Sequence, residues 1–349
     1  MPASSNPFQV SAEFSPGFAD WLGRRNVSLA CTTYVSNQLI FLGRDAKGEA
    51  LAAGAPLNRP TGLALFGGRL FVGCHNDITR FENILGPDEI ASGMFDRQFV
   101  PRNVQITGYL DIHELVIEDS GRLLFTNSQH SCVATLSQRQ SFKTVWQPKF
   151  ISQLVPEDRC HLNGLALENG RLRYVTVCGL SDTEEGWRAD RLTGGAVIDV
   201  ATDTVLSAGL GMPHSPRLHG GQLYLLSSNN GYLVRIDPQT GHQEAMTFFP
   251  GFARGMAIHD NHAIVAVSLP RWGKSFEGLA VAAAMKERGL DAWRGLQIVD
   301  LATGEVVEWA RFDGDITELF DVCILPNVRC AQAITGAALR TTGLVREEL

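Results

Sequence analysis

Short apolar runs recur along this chain in pairs, each pair joined by a turn rich in Gly, Asn or Asp. The clearest copies begin at Thr61 (TGLALFGGRLFVG), His113 (HELVIEDSGRLLFT), Asn163 (NGLALENGRLRYVT) and His214 (HSPRLHGGQLYLLS). A fifth begins at Arg254 (RGMAIHDNHAIVAVS), and a less regular sixth near Thr317 as ELFDVCIL. The first four start about 50 residues apart, the period of a four-stranded propeller blade. Between the hairpins, GGAVIDV (194–200), YLVRIDP (232–238) and GLQIVDL (295–301) fit third strands. TVLSAGL, QEAMTFF and EVVEWARF then fit the outer edges of the blades. The pattern predicts an all-β fold, a six-bladed β-propeller.

The ends complete the count. ELFDVCIL has no strand partners after it, whereas NVSLACTTY and QLIFLGR have no inner strand before them. Pairing the two makes one blade from both termini and closes the ring. Residues 27–330 then form a single propeller domain, with an N-terminal extension at 1–26 and a C-terminal tail at 331–349. Seven blades follow instead if residues 84–110 hide a degenerate one. One segment breaks the pattern: Phe276 to Trp293 carries Leu279, Ala282, Ala283 and Met285 at helical spacing. It reads as a short helical insert in the fifth blade, packed either over the axis as a lid or against the rim.

Composition narrows the partners. Of 349 residues, 44% are hydrophobic and 19% charged, and the formal net charge is −7. A soluble globular core is within reach, and a basic face for nucleic acid or an anionic membrane is not expected. Met1 to Pro16 shows no secretory pattern, and no stretch nears the roughly 20 apolar residues of a membrane span. A cytoplasmic protein with reduced thiols is expected, since the seven cysteines are odd in number and form no CxxC pair. Cys132 and Cys160 each lie near a His or Arg, which would favour thiolate, yet both fit better as small buried hydrophobes. Phosphate-binding loops, dinucleotide fingerprints, HExxH and GxSxG are all missing.

The repeat alignment supplies the candidate chemistry. It places Thr61, His113, Asn163, His214 and Arg254 at equivalent entries to the inner strands, with Glu318 or Phe320 from the last blade. Turn chemistry accounts for an Asn at such a position but not for two His and an Arg. Histidine with a carboxylate suits a divalent metal. His113, His161, Asn163 and His214 are therefore candidate ligands, with Glu114 or Glu318 as the carboxylate. His113, Glu114, His214, Arg254 and Glu318 are the candidate catalytic groups. Arg188, Trp187, Asn127, Arg217 and Asn229 are the candidate substrate contacts, Trp187 and Arg188 coming from the charged loop that follows Ser181. Without a metal, the same imidazoles and Arg254 suit a carboxylate ligand. His219, His242, His259 and His262 fall in turns or exposed strands and need no function.

RCHLNGLALENGRLRYVT, GWRADRLTGGAVIDV, GMPHSPRLHGGQLYLLSSNNGYLVRID and ELFDVCILP resemble the segments of a bacterial family of conserved propeller proteins catalogued as a domain of unknown function. The resemblance runs from about Val27 to Pro326 and implies a propeller without a reaction. More distantly, Asn163-Gly164-Leu165 is similar to the Asn-Gly-Leu of the regucalcin, gluconolactonase and strictosidine-synthase propellers, where that Asn is a metal ligand. Pro213-His214 stands where that group has Pro-Asp, so imidazole replaces a hard oxygen. A transition metal such as zinc, iron or manganese is then implied rather than calcium.

These readings lead to a metal-assisted enzyme acting on a small polar or anionic molecule in the axial pocket. Ester or lactone hydrolysis is expected, with a lyase or isomerase reaction next. The competing expectation is a non-catalytic propeller that binds a peptide or protein partner on one face, anchored by Trp187 and Trp272.

Overall fold

Residues 10–270 and 278–340, with 344 and 347, are described by the computed structural model. Paired glycines or Asn-Gly close the tightest hairpins. Gly67-Gly68, Asn169-Gly170 and Gly220-Gly221 all have positive φ at both positions. They join strands whose last pairs are Phe66 with Arg69, Glu168 with Arg171 and His219 with Gln222. Two left-handed residues in succession make the turn whose twist matches that of the flanking strands.

Six sheets result, each with four antiparallel blade strands, the blades of a six-bladed propeller. The first runs outward through Leu63–Phe66, Arg69–Gly73, Asp77–Asn83 and Arg97–Ile106. Residues 84–110 therefore supply the outer strand of this blade and hide no seventh. The second blade spans Leu115–Ile117 to Lys143–Trp146, the third Leu162–Glu168 to Thr204–Leu210, and the fourth Pro213–His219 to Gln243–Phe248. The fifth runs from Phe252–His259 to Val306–Phe312. In the sixth, Val322–Pro326 is innermost and pairs with Val27–Thr33, which continues to Gln38–Arg44 and Ala50–Pro56. The ring thus closes on strands from both termini.

Successive strand residues feed different cores. Phe125 packs toward the first blade while its neighbour Leu124 packs toward the third. Leu225 likewise faces the third blade and Leu226 the fifth. Each adjacent pair of blades encloses one such cluster. Strands buried on both faces read as continuous apolar runs, which is why the repeat is so visible.

Segments flanking 27–330 extend two blades. Ala12–Phe14 pairs with Val306–Phe312, and helix Phe18–Arg25 buries Phe18, Trp21 and Leu22 between the fifth and sixth blades. Ala331–Ala333 runs parallel to the outer strand of the first blade. Both additions cover part of an edge that would otherwise offer unpaired backbone groups.

The insert of the fifth blade is a helix over Ala280–Arg288, shorter than the pattern predicts. Phe276 and Trp272 lie outside the described residues. Val281 and Met285, one turn apart, face the protein, while Ala282 and Ala283 are exposed. The apolar stripe is displaced because Leu279, Val281 and Met285 join Trp187, Met212, Phe252 and Cys178 in one cluster. The helix thereby backs the third-blade loop at the side of the axial mouth. Among the described residues, no helix is long and apolar enough to cross a membrane.

Candidate functional site

Four blades repeat one backbone device at the axial mouth. Arg59, Asp111, His161 and Met212 all have φ between 44° and 52°. Each stands two residues before a ring position, namely Thr61, His113, Asn163 and His214. Left-handed conformation is uncommon outside glycine, least so for Asn, Asp and His, and tends to collect at functional sites. The kink turns the chain from the preceding loop into the inner strand. It sets two layers of side chains at the mouth, the residue at the kink and the residue two further on.

These layers line a cavity of about 380 Å³. Of the sequence candidates it brings together His113, His161, His214, Arg254, Trp187 and Arg188, with Phe320. It adds Asp111, Asp158, Tyr34, Tyr109 and Phe252, which the sequence reading did not single out.

The partners of the three imidazoles fix their tautomers. His113 Nδ1 lies 2.8 Å from the Asp111 carbonyl oxygen and 3.2 Å from Ser128 Oγ. The Ser128 hydroxyl donates to the Leu162 carbonyl at 2.7 Å, so its oxygen accepts from the ring. At the entry to the fourth blade the device recurs. His214 Nδ1 lies 2.8 Å from the Met212 carbonyl and 2.9 Å from Ser228 Oγ, whose hydroxyl donates to the Ala253 carbonyl at 2.6 Å. His161 Nδ1 lies 3.0 Å from both oxygens of Asp158. Every partner is an acceptor, so each ring carries its proton on Nδ1 and its lone pair on Nε2.

Electrostatics separate the rings. Burial holds His214 well below the ordinary imidazole range, and the positive charge of Arg254 adds to this. Burial alone would lower His161 too, but the Asp158 carboxylate outweighs it and raises this imidazole. Asp158 also accepts from Trp187 Nε1 at 2.8 Å. The indole stacks on the His161 ring at 4.2 Å, with the Arg188 guanidinium 4.5 Å from its centroid. Trp187 is only 2% exposed. It forms an interior wall, which corrects its expected place as an exposed anchor for a partner. The fork of Arg254 lies 3.7 Å over the Phe320 ring.

The ligand atoms of Asp111, His113 and His161 all lie within 4.8 Å of one another. Two imidazoles and a carboxylate make a donor set suited to zinc, iron or manganese rather than calcium, which takes six or more oxygens. The His113 and His214 rings are 6.3 Å apart, so His214 faces the group across the cavity.

Other candidates are placed elsewhere. Asn163 spends its amide on the Cys178 sulfur at 3.3 Å and the Thr176 hydroxyl at 2.8 Å. Glu114, next to His113 in sequence, lies off the cavity in an ion pair with Arg217 at 2.5 Å. Glu318 accepts the backbone amides of Tyr34 and Val35 at 3.4 Å and 2.9 Å, so it shapes the Tyr34 loop. Asn127 caps its own turn by accepting from His130 N and facing His130 Nδ1, both at 3.1 Å. Asn229 ties two loops together: its Nδ2 donates to the Leu192 carbonyl at 2.8 Å, and its Oδ1 accepts from Ala280 N at 3.0 Å. Burial pushes the thiols of Cys132 and Cys160 up to about 12, which leaves them inert as nucleophiles. All seven cysteines are free.

Among the signals that sequence offered, the spacing Asp111-x-His113 matches His161-x-Asn163 and Met212-x-His214. Aligning the kinks as well as the ring positions would have found Asp111. Asp158 left no such signal, because it arrives from a loop.

Among solved structures, the crystal structure of a nidogen/laminin complex matches with a TM-score of 0.55 at 12% identity, covering 86% of this chain and 98% of that one. At that identity the likeness concerns the fold alone. No curated protein matches this sequence. The family model described as "Domain of unknown function (DUF4915)" matches residues 16–334, and the chain belongs to that family.

Proposed function

We propose that this propeller is a metal-assisted enzyme that hydrolyses an ester or lactone of a small molecule in the axial cavity. The observation that carries the reading is the convergence of Asp111, His113 and His161 within 4.8 Å at the cavity wall. Their Nδ1 partners support it, since metal-binding histidines commonly hold the other nitrogen on a carbonyl or carboxylate. Bound there, a zinc, iron or manganese ion supplies Lewis acidity toward a carbonyl group or a water molecule. His214, kept neutral by burial and with its Nδ1 proton held by the Met212 carbonyl, offers its Nε2 lone pair as a hydrogen-bond acceptor to a substrate hydroxyl or a water molecule. Arg254 and Arg188 orient an anionic substrate, and Trp187 with Phe252 and Met212 narrows the access of water.

A panel of p-nitrophenyl esters and simple lactones, assayed with each metal added, tests this. Turnover should fall at least 100-fold in His113→Ala and His161→Ala variants that melt within a few degrees of wild type. Turnover unchanged in both would sink the assignment.

A further inference from the structure

We propose that Ser128 is a positioning residue that aims His113 and His161 together at the metal, and that Ser228 aims His214 alone. This rests on the reading above in taking Asp111, His113 and His161 as the ligands.

Ser128, Ser228 and Ser268 stand at or just past the end of the second strand in the second, fourth and fifth blades, and all three are fully buried. Each hydroxyl donates to a carbonyl of the next blade, that of Leu162 at 2.7 Å, Ala253 at 2.6 Å and Leu319 at 3.1 Å. Those carbonyls belong to the residues just before the ring positions Asn163, Arg254 and Phe320. The bond therefore latches one blade to the next. Ser268 shows it without an imidazole: its oxygen accepts the Leu319 amide at 3.1 Å, and Arg254 holds the ring position of its blade. In the other two blades the serine oxygen accepts from a ring instead, from His113 Nδ1 at 3.2 Å and from His214 Nδ1 at 2.9 Å. The third blade supplies a contrast. Cys178, just past its second strand, takes the amide of Asn163 at 3.3 Å. A thiol is a weak acceptor, and Asn163 stands outside the metal group.

The Ser128 latch joins two ligands. Its oxygen takes the His113 proton, and its own proton goes to the carbonyl of Leu162, the residue after His161. His161 has a positive φ of 49°, so that carbonyl pins the chain just past the kink that presents the His161 ring. Without the hydroxyl, one ring loses a restraint on its rotation and the turn that carries the other is loosened. The Ser228 latch runs from His214 to Ala253, beside Arg254, and so reaches neither imidazole of the metal group. Partners that orient a metal-binding histidine commonly account for 10–100-fold in affinity. One latch position thus sets metal affinity in the second blade, orients a hydrogen-bond acceptor in the fourth, and only joins blades in the fifth.

The test is a zinc titration of wild type, Ser128→Ala, Ser228→Ala and Ser268→Ala, with a thermal melt of each. The three variants lose the same buried hydroxyl from the same latch, so their melting points should fall alike. Zinc affinity should drop at least ten-fold in Ser128→Ala and stay within about two-fold in the other two. Ser128→Cys, which fills the space with a weaker partner, should lie between wild type and Ser128→Ala, and it carries both measurements if Ser128→Ala fails to fold. An unchanged affinity in Ser128→Ala, or an equal loss in all three variants, overturns the proposal and leaves the metal reading standing. Hydrogen exchange at the imidazoles, followed by NMR of metal-free protein with nitrogen-15 histidine, reads the rings without zinc. The Nδ1 proton of His113 should exchange at least ten-fold faster in Ser128→Ala while that of His214 is unchanged, with the reverse in Ser228→Ala and neither effect in Ser268→Ala. Exchange at His113 that does not respond to Ser128→Ala overturns the proposal. Wild-type protein that binds no zinc removes the metal reading, and the exchange rates then decide alone whether the two serines aim their rings.

Discussion

His161 is held by a carboxylate, whereas His113 and His214 are held by a backbone carbonyl and a serine. The difference is chemical, because Asp158 puts a full negative charge within hydrogen-bond reach of the His161 ring, whereas the Asp111 carboxylate stands 3.9 Å from His113 Nδ1. Asp158 raises the basicity of His161 against the effect of burial. Asp158→Asn keeps an acceptor near Nδ1 and removes the charge. Zinc affinity measured by titration should drop about 10–100-fold, the usual cost of losing such a partner. An unchanged affinity would mean that His161 does not ligate. At this scale the site was half legible. His113, His214 and Arg254 stood out because they break the pattern of a repeat, and His161 because it sits beside one. Asp111 was hidden by its left-handed backbone, which moves the useful side chain two residues upstream of the aligned ring. Glu114, Glu318 and Asn127 looked equivalent to true lining residues in sequence, and only the direction of each side chain separates them.

Among elements, the third-blade loop that carries Trp187 is tied down by charge. Arg159 Nη1 donates to Asp182 at 2.7 Å and to Ser152 Oγ at 3.1 Å, and Ser152 N donates to Asp182 at 2.9 Å. The Ser152 hydroxyl and amide, followed by Arg159, hold the Asp182 carboxyl down at about 2. A carboxylate depressed in the fold stabilises it above the ordinary value near 4, and that contribution is lost as pH falls through about 2. Acidification should therefore release the loop between about pH 4 and pH 2, seen as a change in tryptophan fluorescence. Asp182→Asn should lack that transition, and an identical transition in the variant would contradict the tether. The loop and the helical insert were both visible in sequence as interruptions of the blade pattern. Their shared cluster was not, since contacts among Trp187, Met212 and Val281 join three blades. The short strands Ala12–Phe14 and Ala331–Ala333 were missed because three residues carry too little pattern to read.

The whole ring is read easily because every blade repeats the same two-sided burial, and because its ends supply complementary strands. It also encloses an ionic cluster on its axis that the repeat does not explain. Arg217 pairs with Glu114, and Asp321 accepts the amides of Leu63 and Val322, both at 2.8 Å. Burial raises Glu114 and Asp321 against the downward pull of Arg217. Carboxyls raised in the fold lower stability as pH climbs from the ordinary carboxylate range to their raised values. Arg217→Met takes the counter-charge from Glu114 and leaves Asp321 with only the weaker pull of Arg254. Urea denaturation should show a loss of about 3–5 kcal/mol, steeper with rising pH than in wild type. A loss below about 1 kcal/mol would show that Arg217 is not the counter-charge of the axis.

The central claim, that Asp111, His113 and His161 hold a transition metal, is tested most directly by elemental analysis. The protein should be purified without a histidine tag or chelator, beside the His113→Ala/His161→Ala variant. The account predicts close to one equivalent of zinc, iron or manganese per chain in the wild type and almost none in the variant. Wild-type protein that carries no metal, and binds none when titrated with all three, would contradict it.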